Sequence, residues 1–282
     1  MMATSHSVSG ALLFAVGAPI ASAAGLFTLD APTYIVGSLV CAGAALLPDV
    51  DHPKSRISNS FGFLTRGIAH FTETVAGGHR HMTNTLWFII LAFFVTVYQN
   101  YIFSPLQYVF DFLGTLLPAE AGQVMTSIGS SFADGRGGAF LIITYMVTMG
   151  VLCMNLPIVS GLAKSRKAGG FAVLPPVIGI VAAWWVVSMS GTDLYGYQSF
   201  LPWAIAIGAL AHDLGDMLTT GKVPFFELPV NGFARKFRIG IPILGNTSSA
   251  RESALAFAMG FAFIFFVIRG VMSFQDFQLP WT

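Results

Sequence analysis

The residues of this chain best able to do chemistry fall in four short patches. The first is Thr4, Ser5, His6 and Ser7. The second runs through Pro48, Asp49, Asp51, His52 and Pro53. Two carboxylates and an imidazole so close together make a donor set suited to zinc or manganese. The third, residues 77–85, holds His79, Arg80, His81, Thr83 and Asn84. His79 is a metal ligand by type, and the Arg80 fork suits bidentate contact with a phosphate or carboxylate. The fourth, residues 211–221, places His212 and Asp216 four apart, on one helical face, with Asp213 pointing elsewhere. Each patch alone also admits a plainer reading. A lone histidine such as His6 is more often a frayed terminal surface residue, and Pro48 to Pro53 reads as a turn that ends a helix. Residues 79–81 read as a basic membrane-flanking segment, and residues 212–216 as ordinary interfacial polar groups.

What must position these patches is a set of apolar helices. Hydrophobic residues make up 55% of the chain and charged ones 10%, where a soluble domain carries about 25% charged. Mean hydropathy is +0.72. Seven segments approach the roughly 20 apolar residues of a transmembrane helix: 8–29, 33–47, 85–103, 139–162, 171–190, 199–218 and 254–273. The second is short, and Pro175 and Pro176 should kink the fifth or mark its start. No linker or repeat divides the chain. The expected fold is therefore a single all-α domain over residues 1–282, a polytopic membrane bundle of about seven transmembrane helices.

Basic residues sort by loop. Lys54, Arg56, Arg66 and Arg80 follow span two, Lys164, Arg166 and Lys167 follow span four, and Lys222, Arg235, Lys236, Arg238 and Arg251 follow span six. The alternate loops are poor in Lys and Arg, with Arg136 the exception, and Arg269 is near enough to a span end to snorkel. The positive-inside rule then puts the N-terminus and all four patches on the cytoplasmic side. Residues 104–138 form an outside loop, whose 105–117 stretch reads either as an interfacial helix or as plain surface loop. Cys41 and Cys153 lie in apolar runs and suggest neither a disulfide framework nor a cysteine-based zinc site. The formal net charge of +1 gives no reason to expect a nucleic-acid partner. The start of the chain lacks the basic n-region of a cleavable signal peptide.

In this order, the patches resemble the YdjM-like family of inner-membrane proteins. The family pattern is a His near the N-terminus, then Pro-Asp-x-Asp-His, then His-Arg-x-x-Thr-His-Ser, then His-x-x-x-Asp with a following Thr and Gly. The matches are His6; Pro48, Asp49, Asp51 and His52; His79, Arg80 and Thr83; and His212, Asp216, Thr219 or Thr220, and Gly221. The resemblance implies a metal-dependent hydrolase in a prokaryotic inner membrane. The family in turn looks like the zinc-dependent phospholipase C enzymes, which bind metals with His and Asp on helices. One departure stands out: Asn84 takes the place of the second His of the third motif, and Thr85 that of its Ser.

The leading expectation is a hydrolase whose metal ligands come from His6, Asp49, Asp51, His52, His79, His212 and Asp216. The metal would be zinc, with manganese as the alternative. Asp49, Arg80 and Asp216 are the candidate catalytic groups. A metal there would acidify a bound water and polarise a phosphoryl or carbonyl oxygen, an uncommitted carboxylate would act as base, and Arg80 would neutralise an anionic substrate. A site at headgroup level, among membrane lipids, suggests a lipid or other amphipathic phosphoester as substrate. The rival expectation is a transporter, or a binding or structural membrane protein with a degenerate site. Transporters place ionisable groups near the bilayer midplane, where this sequence has almost none.

Overall fold

The computed structural model describes residues 2–55, 57–60, 63–76, 82–154, 174–189, 199–226, 238–246 and 248–274. His79, Arg80 and His81 lie outside the described residues, as do Lys164, Arg166, Lys167, Arg235 and Lys236. The described secondary structure is helical, with isolated backbone bridges such as Thr219 to Gly245 and no strand among the described residues.

The organising element is α2, Ala31–Ala44. The Asp30 side chain starts it by accepting the Thr33 N–H at 2.8 Å, and Pro32 occupies the first turn, where its missing donor is harmless. Every residue of α2 except Ile35 and Leu39 is buried. Around it pack α1 (Ala3–Ala23), α8 (Arg136–Cys153) and α10 (Phe200–Met217). α9 (Leu174–Met189) packs outside α8, and α4 (Leu86–Val97) against α10. The last helix, α11 (Ala250–Ser273), packs along α1. Tyr34 joins three of these elements, its hydroxyl meeting the Ala15 carbonyl at 2.9 Å and the Phe266 carbonyl at 3.0 Å.

The span pattern differs from the expected seven. Among the described residues, four helical segments are long and apolar enough to cross a membrane: Ala3–Ala23, Ala31–Asp51, Arg136–Cys153 and Ala250–Ser273. A fifth is added if Leu86–Val97 and Gln99–Thr115, bent by 67° from one another, count as one. The other two expected spans exist as helices but fall short for identifiable reasons. The described part of α9 has 16 residues, or about 24 Å of helix against about 30 Å of hydrocarbon. α10 carries His212, Asp213 and Asp216 in its last turns, which lowers its hydropathy. On α11, by contrast, no residue of the most apolar window is buried, and Phe257, Phe261, Ile264 and Ile268 are exposed, as on a lipid-facing helix.

Residues 104–138 are largely helical rather than an extended loop. The chain turns at Tyr98, where buried Gln99 donates to the Gly135 carbonyl at 3.1 Å. After α5 (Gln99–Phe103), α6 (Leu106–Thr115) and α7 (Ala119–Ala133) form a helical hairpin. Its two arms touch through stacked Phe110 and Phe132 rings, 5.4 Å between centroids. α6 is the helix that the 105–117 stretch allowed. α3 (Phe63–Ala76) packs against the Leu47–Asp51 turn, and its exposed His70 faces Glu73 at 3.7 Å and is not part of the His6–His212–Asp216 group.

Candidate metal centre

Glycines decide how closely the site-bearing helices meet. A Cβ on Gly10 of α1 would stand 2.7 Å from the Cys41 carbonyl oxygen and 2.9 Å from Ala45 Cβ. A Cβ on Gly208 of α10 would stand 2.6 Å from the same oxygen and 2.6 Å from Ala44 Cβ. Both helices therefore lie directly on the end of α2, as small residues permit in membrane packing. His6 precedes Gly10 by four residues and His212 follows Gly208 by four, so one helical turn carries each imidazole to the same place.

The two rings stack, with centroids 3.8 Å apart and planes 13° apart. His212 Nδ1 lies 2.8 Å from the Ala45 carbonyl oxygen. A carbonyl can only accept, so Nδ1 carries a proton, and in the neutral ring Nε2 is the nitrogen left with a lone pair. That Nε2 lies 3.8 Å from Asp49 Oδ1 and 3.9 Å from Asp216 Oδ2. His6 Nε2 lies 3.3 Å from Asp216 Oδ1. Donor atoms of His6, His212 and Asp216 all fall within 4.8 Å of one another, and all three residues are buried. Donors bonded to one tetrahedral zinc at about 2.0–2.1 Å stand about 3.4 Å apart; His6 Nε2 and Asp216 Oδ1 already match that spacing, while the wider separations and the stacked rings require the imidazoles to turn and close in before all three could hold one ion. The chemistry fits as well. His212 Nε2, the nitrogen nearest Asp49 and Asp216, is buried without a hydrogen-bond partner, a costly state for an imidazole nitrogen that a metal bond would relieve, whereas the unpartnered nitrogen of His6 is Nδ1, not the Nε2 that meets Asp216.

The structure thus gathers His6, Asp49, His212 and Asp216. Asp49 belongs to the 3-10 turn Leu47–Asp51 that continues α2, and its side chain is 24% exposed, the open edge of the cluster. Asp51 on the same turn is fully buried and accepts a hydrogen bond from the Thr83 hydroxyl. His52 is half-buried just beyond. Neither joins the His6–His212–Asp216 group. Thr219 closes α10, its hydroxyl donating to the Asp216 carbonyl at 2.9 Å and accepting the Gly221 N–H at 3.3 Å.

Two residues escaped the sequence reading. Asp213 does point away from the His212–Asp216 face, but it is fully buried and accepts the Asn84 amide N–H at 3.1 Å. Adjacent ionisable residues inside an apolar helix were the available signal. Glu252 of α11 is also fully buried, accepting the backbone N–H of Ser248 at 2.7 Å and that of Met2 at the entry to α1. Ser249 with Glu252 three residues on is the sequence form of a capping box, and Ser249 Oγ does accept the Glu252 N–H at 3.1 Å. The pattern is legible, though the contact with Met2 is not.

The family model described as YdjM inner membrane protein matches residues 1–156. The chain belongs to that family. The YdjM match includes His6, Asp49, Asp51, His52 and Asn84, whereas His212 and Asp216 lie beyond it and join the first group only through the packing of α10 on α2. Family membership together with the long apolar helices makes this a membrane protein. No curated protein and no solved structure matches the chain.

Proposed function

We propose that this YdjM-family protein is a membrane-embedded, metal-dependent hydrolase. Seven spans, an inside N-terminus and a site on the cytoplasmic face complete the reading, which rests there on the sorting of Lys and Arg among the loops. On this topology the 16-residue α9 and the polar-ended α10 also cross the membrane. The observation that carries the proposal is the buried His6–His212–Asp216 group, in which His212 Nε2 is unpartnered beside the carboxylates of Asp49 and Asp216. Two imidazoles and a carboxylate suit zinc, with manganese as the alternative.

Each side chain has a distinct task. Ala45 fixes the His212 tautomer and ring direction through its carbonyl. Asp216 spans the two imidazoles, one oxygen towards each. A divalent ion held here would supply an acidified water and a Lewis acid for a phosphoryl or carbonyl oxygen. Asp49, partly exposed at the edge of the cluster, is the carboxylate free to take the proton of an attacking water. Asp51, His52, His79 and Arg80 belong to the same reading, with Arg80 meeting the anionic part of the substrate. A lipid or other amphipathic phosphoester is the substrate class favoured by a site at helix ends. A groove of about 780 Å³ between α1 and α11 supports this choice, since Ser5, the neighbour of His6, lines it together with Phe257, Phe261 and Ile264.

Turnover of a generic phosphodiester by zinc-loaded protein tests the proposal. Asp49→Asn should lower the rate by about 10²–10⁴-fold, the contribution of a positioned base. A wild-type protein that holds zinc yet hydrolyses neither phosphodiesters nor carboxyl esters would favour a binding role instead.

A further inference from the structure

Beside the imidazole cluster stands a second group of buried polar side chains, made only of oxygen donors and one amide. The 3-10 turn Met82–Asn84 ties two buried acids from different elements. Thr83 donates to Asp51 of the Leu47–Asp51 turn, and Asn84 donates to Asp213 of α10. Asn84 meets the carboxylate through its Nδ2, the only end of the amide that can donate. Its Oδ1 is left over, buried and without a partner, and so is Asp213 Oδ2. No described Lys or Arg forms an ion pair with Asp213. An ionised carboxylate buried without a counter-charge is strongly disfavoured, and the leftover oxygen on each member of this hydrogen-bonded pair deepens the deficit.

We propose that Asn84 Oδ1 and Asp213 Oδ2 are the protein donors of a second cation site, one that takes a hard divalent ion such as Mn²⁺ or Mg²⁺. Carboxylate and amide oxygens favour those ions, while imidazole favours zinc. The departure at position 84 then acquires a meaning. An amide oxygen where the family pattern has an imidazole changes which metal the position accepts. The substitution tunes the centre towards oxygen-seeking ions and leaves the zinc cluster intact. The two centres are linked through α10, where Asp213 follows His212 directly and Asp216 comes one turn later. The inference rests on the metal-hydrolase reading only for the use made of the second ion; the ion itself is tested apart from it.

The experiment is a Mn²⁺ titration of the full-length, detergent-purified protein, read by electron paramagnetic resonance, with zinc content measured on the same samples. Wild type should bind a manganese ion in addition to its zinc. Outer-sphere changes at metal sites cost about 10–100-fold in affinity, so Asp213→Asn, which replaces the charged direct donor by a neutral amide, should weaken manganese by at least about that much and leave zinc in place. Asn84→Ala should do the same, and serves as the test if Asp213→Asn fails to fold. Asn84→His should lose manganese affinity and gain a second zinc. Manganese binding that is absent in wild type, or unchanged in both Asp213→Asn and Asn84→Ala, overturns the proposal. Joint loss of zinc and manganese in Asp213→Asn overturns it too, because one centre would then account for both groups. A zinc-free wild type whose manganese still depends on Asp213 would sink the zinc reading and support this one.

Discussion

Gly208→Ala probes the packing that builds the site without touching a ligand. The added Cβ would lie 2.6 Å from the Cys41 carbonyl oxygen, 2.6 Å from Ala44 Cβ and 2.9 Å from the Ala45 nitrogen. Ordinary contact begins near 3.4 Å, so α10 must back away from α2 by about 0.8 Å, and two of the three obstructing atoms are backbone. Overpacking of this kind costs about 1–3 kcal/mol. The same retreat stretches the 2.8 Å contact of His212 Nδ1 with Ala45 beyond hydrogen-bond range, losing about 0.5–1.5 kcal/mol more. The imidazole also loses its fixed direction, and second-sphere losses of that type reduce metal affinity about 10–100-fold. Gly17 on α1 is the control, since its Cβ would meet nothing within 4 Å. Gly17→Ala should be neutral or stabilise by about 0.4–1 kcal/mol. The assays are thermal unfolding in detergent and zinc competition with a chromophoric chelator. If Gly208→Ala melts and binds zinc like wild type, the argument that glycine contacts set the imidazole positions is refuted.

Glu252→Ala removes the acceptor of two backbone donors, from Met2 and Ser248. Each donor left buried and unsatisfied costs about 1–3 kcal/mol, so the melting temperature should fall clearly and zinc affinity with it, because the entry to α1 carries His6. An unchanged melt would show that Glu252 does not hold that entry. For topology, cysteines introduced at Ser55, Ser165 and Ala234 should be shielded from an impermeant thiol reagent in intact cells, and cysteines at Ser130 and Gly196 should react. Labelling of the first set would move the site to the other face of the membrane.

The spacing of His212 and Asp216 was readable in the sequence because helical periodicity alone puts them on one face. The approach of His6 was expected from the shared membrane face and the family resemblance, but not its cause: it depends on Gly10 and Gly208 both meeting Cys41, a coincidence of three helices that no local pattern encodes. Hydropathy placed the apolar helices but could not weigh α10, whose polar last turns serve the site and dilute its apolar character. The bend after Tyr98 and the α6–α7 hairpin were obscured for a related reason. Their residues are apolar enough for a membrane surface yet too mixed to distinguish a helix from a loop. Asp213 illustrates a further gap: it reads only as a residue pointing away from the His212–Asp216 face until the fold buries it against Asn84.

Zinc content and affinity in the purified protein, compared with those of a His6→Ala/His212→Ala double variant, test the central claim most directly. The donor set predicts about one tightly held zinc at this cluster in wild type, and loss of that zinc in a double variant that remains folded. Wild-type protein without zinc affinity, or a folded double variant that keeps its zinc, would contradict the account.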